Sequence, residues 1–136
     1  MLRWVGRYAV VAAAFGVLDG LWLGVVARPL YDAELGSLLA AQPNALAAVA
    51  FYVIYVFGIT YFATGPALAE ESSRRALVSG GVLGFVAYAT WDLTSLAVIE
   101  GFPASIVAVD LAWGTVATVV AAAVTYAVCR RVPALR

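Results

Sequence analysis

Four long apolar runs constrain this chain more than any single residue does. They fall at roughly 5–26, 45–62, 76–98 and 105–128, and each is near the ~20 residues that a helix needs to cross a bilayer. A soluble domain is about half apolar, whereas 65% of this sequence is hydrophobic. In hydrocarbon every backbone N–H and C=O must be bonded within the segment, so runs of this length form helices. The expected fold class is all-α integral membrane. It is a four-transmembrane-helix bundle with a short interfacial helix in the first outer connection, in a single domain covering residues 1–136. Little chain is left for a soluble unit.

Net charge is zero, but its distribution is uneven. Every basic residue is an arginine, and Arg3, Arg7, Arg74, Arg75, Arg130, Arg131 and Arg136 flank one side of the runs. Only Arg28 falls on the other side. The positive-inside rule then predicts cytoplasmic N- and C-termini in a bacterial inner membrane. Arg3 and Arg7 also resemble the basic start of a signal peptide, with Val25-Val26-Ala27 as a cleavage site. The apolar stretch is too long for that and is interrupted by Asp19, so it is read as a retained helix.

Composition excludes several chemistries. Histidine is absent, and the one cysteine, Cys129, has no second thiol to pair with. Histidine catalysis and His/Cys metal sites are therefore not expected. No metal-binding motif, nucleotide loop or nucleophile–base pair is present, so no cofactor is expected. No exposed basic domain exists for nucleic acid.

The first helix carries Ala12, Gly16, Gly20 and Gly24 at four-residue spacing. Such a small-residue row lets another helix approach closely. It predicts packing inside the bundle, with a homo-oligomer seam as the alternative. The third helix has Gly80 and Gly84, and Tyr88 and Asp92 continue that row. In the first connection Tyr31, Leu35, Leu38 and Leu39 share one helical face. That segment is expected to lie flat at the outer interface, either covering the mouth of the bundle or simply connecting. Pro43-Asn44 should stop it and cap helix two. The second connection, with Gly65-Pro66 and Glu70-Glu71-Ser72-Ser73, reads as solvated and cytoplasmic, with Ser72 or Ser73 capping helix three. Glu100-Gly101-Phe102-Pro103 reads as a tight outer turn.

Three acids interrupt the apolar runs: Asp19, Asp92 and Asp110. At 1.5 Å per residue they lie about 8–12 Å from the outer helix ends. Tyr52 and Tyr55 fall at similar depth on helix two. Trp22, Thr94 and Ser95 lie at the same level, and Tyr88, Trp91 and Trp113 nearby. Acids in lipid are costly and mark function by default. They should face inward, and close carboxylates cannot all ionise cheaply, so one is expected to keep a proton at neutral pH. Each of Asp19 and Asp110 has a tryptophan three residues on, Trp22 and Trp113. An acid beside an indole face suits a cationic or amphiphilic ligand. The competing reading is glue: aspartates bonded to Tyr or Trp across helices, or to Arg28.

Leu18-Asp19-Gly20-Leu21-Trp22-Leu23-Gly24, Phe51-Tyr52-Val53-Ile54-Tyr55, Asp92-Leu93-Thr94-Ser95-Leu96-Ala97 and Val109-Asp110-Leu111-Ala112-Trp113-Gly114-Thr115 touch every predicted span. In these segments the chain resembles a family of small bacterial membrane proteins, domain-of-unknown-function family two-one-seven-seven. Members often carry Tyr-Asp-Leu-Thr-Asn where this chain has Trp91-Asp92-Leu93-Thr94-Ser95. The resemblance implies the bundle and points to the same aspartates, without implying an activity.

The first functional reading is a protein that binds or transports a small cation, a proton or an amphiphilic or lipid ligand. Its candidate ligand-binding residues are Asp19, Trp22, Tyr52, Tyr55, Tyr88, Trp91, Asp92, Thr94, Ser95, Asp110 and Trp113. A membrane-embedded enzyme acting on a lipid or isoprenoid is an alternative, using paired carboxylates as acid and base. A structural or accessory subunit is another. The expected partners are the lipid bilayer, a small cationic or amphiphilic ligand, and a second copy of the chain.

Overall fold

The computed structural model describes residues 1–136. It contains four long helices: α1 (Leu2–Val26), α3 (Ala45–Ala69), α4 (Ser73–Val98) and α5 (Ala104–Arg131). The short α2 (Arg28–Leu35) lies between the first two. No strand is present. All four long helices are long and apolar enough to span a membrane. The chain is therefore an all-α membrane bundle.

The helix boundaries follow from local chemistry. Asn44 sits extended before α3, and its Oδ1 accepts the Ala47 N–H at 3.1 Å. Ser72 does the same before α4, accepting the Arg75 N–H at 3.2 Å. Each side chain satisfies one of the orphan donors of a first turn. Between α4 and α5 the chain reverses at Gly101, whose φ of +78° suits a residue without a Cβ. Gly36, at φ +44°, turns the chain just after α2. Leu38 and Leu39 follow that turn and are exposed, so only Tyr31 and Leu35 of the expected apolar face point at the bundle.

Helix two runs further than its sequence predicts. Gly65-Pro66 lies within α3, not in the following connection. A π-helical turn over Ile59–Thr64 explains this. The Gly65 N–H reaches back to the Thr60 carbonyl. Pro66 falls in the first turn of the renewed α-helix, where its missing N–H costs least. The Thr60 hydroxyl bonds the Val56 carbonyl at 2.7 Å, and the Thr64 hydroxyl bonds the Thr60 carbonyl at 3.2 Å. These bonds keep the disturbed backbone satisfied inside an apolar bundle.

The closest packing joins α4 to α5. A Cβ on Gly84 would strike the Gly114 carbonyl, and one on Gly114 would enter the Tyr88 ring. Gly114→Ala is therefore expected to destabilise the protein by about 1–3 kcal/mol, the usual range for overpacking a filled contact. Denaturant unfolding in detergent micelles measures it. Unchanged stability would mean that Tyr88 yields freely and is not held by this contact.

Against this hairpin α1 turns Val11, Phe15 and Asp19 inward. The π-helical turn of α3 touches α1, α4 and α5. The core is built from Val11, Phe15, Tyr55, Val56, Ile59, Ala63, Ala117, Ala121 and Ala122. Gly16, Gly20 and Gly24 take no part in it. Nothing lies within 4 Å of where their Cβ atoms would be, so of that row only Ala12 packs inside the bundle as expected and the three glycines do not.

Two further features position the site. At the arginine end, Arg7 Nε donates to the Leu135 carbonyl at 2.8 Å and Arg130 pairs with Glu71 at 3.0 Å. These contacts gather the basic residues on one side of the bundle. At the opposite, acidic end α3 leaves α4: close packing of the two is confined to Ile59–Ala69, the π-helical turn and the turn after it. Residues 45–51 are all exposed.

Candidate functional site

A cavity of about 570 Å³ opens at the acidic end. All five helices contribute to it. Asp19, Trp22 and Leu23 come from α1, Tyr31 and Leu35 from α2, and Phe51 and Tyr55 from α3. Ala87, Tyr88 and Trp91 come from α4, and Asp110 and Trp113 from α5. Two carboxylates are thus set in an aliphatic and aromatic wall.

The acids belong to two hydrogen-bond networks. Asp19 is 3% exposed and has both oxygens bonded. Tyr52 donates its hydroxyl to Oδ2 at 2.6 Å, and Trp113 donates Nε1–H to Oδ1 at 3.2 Å. In the second network Tyr31 donates its hydroxyl to Asp110 Oδ1 and accepts Trp22 Nε1–H at 3.1 Å. The Trp22 and Trp113 rings stack at 4.2 Å with 4° between their planes. Trp113 therefore bonds the acid of the other helix directly, and Trp22 reaches Asp110 only through the Tyr31 hydroxyl; neither bonds the acid three residues before it. Tyr55 donates to Thr118 Oγ1 at 2.7 Å, and Thr118 passes its own proton to the Gly114 carbonyl at 2.6 Å.

Asp92 is different. It is 0% exposed, and neither carboxylate oxygen has a hydrogen-bond donor. The charged group it faces is Asp110. It stands behind the cavity wall and does not line it. No basic side chain reaches any of the three acids: Arg28, the arginine at this end, is largely exposed and lies 3.9 Å from Asp32. The three acids do not converge into a metal-ligand cluster.

Of the residues singled out from sequence, eight surround the cavity or bond to its acids: Asp19, Trp22, Tyr52, Tyr55, Tyr88, Trp91, Asp110 and Trp113. Asp92 joins through Asp110. Thr94 does not join them. It is exposed, and its hydroxyl bonds the Thr90 and Trp91 carbonyls of its own helix. Ser95 is buried but does not line the cavity. Tyr31 is the residue that sequence reasoning placed elsewhere. Its position on the apolar face of the connecting helix was visible, but its reach to Asp110 depends on how α2 folds back. Burial and the Asp110 carboxylate push the Tyr31 phenol well above its ordinary range, so it remains a proton donor.

The family model for a predicted membrane protein, DUF2177, matches residues 4–127. The chain belongs to that family. The match covers every DUF2177 segment quoted from sequence and all the cavity residues described here. No match was found among curated proteins or among solved structures.

Tyr31 ties α2 down in this DUF2177 protein. Tyr31→Phe removes both the donor to Asp110 and the acceptor for Trp22. It is expected to cost about 1–3 kcal/mol locally and to speed amide exchange across α2. Hydrogen exchange in nanodiscs checks this, and unaltered protection of α2 would show that packing, not the phenol, holds it.

Proposed function

We infer that the chain binds an amphiphile with a cationic head, in the outer half of a bacterial cytoplasmic membrane. The observation that carries this is an aromatic cavity lined by the buried Asp19 and the half-buried Asp110, with the buried Asp92 behind its wall and no basic side chain in reach of the three. Buried negative charge without a counter-ion is costly in a low dielectric. A cationic head supplies the missing charge and can lie against indole faces. The cavity volume is within the usual range for small-molecule sites, about 300–1,000 Å³. Its largely apolar wall favours an amphiphile over a bare ion, and the dispersed acids argue against a metal centre.

Binding is favoured over transport by the core. Val11, Phe15, Ile59 and Ala117 pack on the arginine side of the cavity and close it in that direction. A transport cycle would have to open that core. The arginine-rich end is assigned to the cytoplasm by the charge bias.

Intrinsic fluorescence tests the reading directly. Trp22, Trp91 and Trp113 line the cavity, and only Trp4 lies elsewhere. Titrating the protein in neutral-lipid nanodiscs with ethylammonium and with hexadecylammonium should give a saturable change. Asp110→Asn should weaken both by about 10–100-fold, the effect of losing a hydrogen bond to a charged group. An unsaturable response, identical in the variant, would defeat the proposal.

A further inference from the structure

The cavity has a side door, and a second groove begins beside it. At the acidic end α3 diverges from α4, and the cavity residues they present there, Phe51 and Trp91, are 41% and 61% exposed. Large aromatic side chains left open on both sides of a gap in a membrane protein face the acyl region and not water. The cavity wall on α4 ends at Ala87. Val86 and Leu83, its neighbours, belong to a groove of about 420 Å³ that continues down α4 past Val82 and Val78, with Phe62 of α3 opposite. The stretch of α4 from Ala87 to Val78 is about 14 Å long, close to half the ~30 Å hydrocarbon thickness. Arg75 closes the far end and is held by Glu70 at 3.7 Å.

We propose that the ligand is a single-chain, long-tailed alkylammonium lipid. Its head lies in the acidic cavity, and its tail leaves between α3 and α4 to occupy the Phe62–Val86 groove. The inference rests on the binding reading above and adds the tail, its length and its path. Two observations fix the occupant. The acids without basic partners call for a positive head, and the groove adjoining the cavity offers an apolar track of one-leaflet length. The opening between α3 and α4 admits such a molecule sideways, so the head need not cross α2, which Tyr31 straps to Asp110.

Photo-crosslinking tests this in nanodiscs of neutral lipid. The probe is hexadecylammonium at low mole fraction, with a diazirine at the end of its tail, and labelled residues are mapped by mass spectrometry. Labelling is expected at Phe62, Val78, Val82 and Val86, and excess unlabelled hexadecylammonium should remove it. Val82 is 60% exposed, so Val82→Trp fills the groove without touching the core. It should abolish the competed label and weaken hexadecylammonium at least tenfold, leaving the ethylammonium response unchanged. If ethylammonium still binds but the tail label spreads evenly over Val17, Val116 and Val124, the tail path is wrong and the head site stands. Displacement of the label by phosphatidylglycerol alone would assign the groove to an anionic lipid on Arg75 and overturn the proposal. If neither amine gives a saturable response, the head site itself fails and the tail path falls with it.

Discussion

Asp92→Leu is expected to make the protein more stable and a poorer binder at once. Asp92 is fully buried, no donor reaches either carboxylate oxygen, and the charged group it faces is another acid. Ionised, it is a buried charge without a counter-ion. Protonated, it has only Asp110 to bond. The ionised state carries an unpaired-group penalty of about 1–3 kcal/mol, and a leucine, which keeps the branching of the side chain, removes it. Unfolding in detergent should shift toward greater stability by up to that amount, less what the larger leucine costs in packing. Alkylammonium binding should fall about tenfold or more, because a bound cation loses one of the acids that attract it through Asp110. Opposed changes in stability and affinity mark a site held in a costly state for function. The glue reading makes the opposite forecast, since a structural acid protects the fold. If Asp92→Leu lowers stability by 2 kcal/mol or more, Asp92 has a partner that this geometry does not supply, and its functional role is lost.

The bundle was legible because hydrophobic length is a property of contiguous sequence. Four apolar runs, one-sided arginines, and caps at Asn44 and Ser72 can all be read without knowing how the helices meet. The length of α3 was not, because Gly65-Pro66 looks like an ending. Only the π-helical turn over Ile59–Thr64 shows how the backbone absorbs it. Depth along the helix axis also placed the acids, tyrosines and tryptophans at one level. Rotation about the axis was harder. Thr94 has the right depth and the wrong azimuth, and it turns to carbonyls of its own helix. The Asp-x-x-Trp spacing suggested that each acid uses the tryptophan on its own helix. Side-by-side packing of α1 and α5 instead stacks the two indoles, hands Trp113 to Asp19 and leaves Trp22 to the Tyr31 hydroxyl. Gly16, Gly20 and Gly24 show the same limit. Spacing says that such a row can be approached closely, but not whether a helix of this chain lies against it.

Asp19 should behave as the reverse of Asp92. Its oxygens accept from Tyr52 on α3 and Trp113 on α5, so one carboxylate joins three helices. Asp19→Ala leaves both donors without an acceptor inside the bundle. At about 1–3 kcal/mol for each orphaned group, with a small cavity added, the loss should reach roughly 3–6 kcal/mol. That is a large part of the ~5–15 kcal/mol that typically separates folded from unfolded protein. Asp19→Asn keeps the Oδ1 acceptor for Trp113 and turns an amide N–H toward the Tyr52 oxygen, so it should cost only about 1 kcal/mol. A double-mutant cycle with Trp113→Phe isolates the bond, and a coupling of about 0.5–3 kcal/mol is expected for residues in contact. Affinity then separates Asp19 from Asp110. Because its charge is already bound by two donors, Asp19→Asn should weaken ethylammonium less than tenfold, where Asp110→Asn costs at least that much. Equal losses in affinity from the two Asn variants would mean that Asp19 holds the ligand as well as the helices. Equal stability of Asp19→Ala and Asp19→Asn would show that the three-helix junction contributes nothing to the fold.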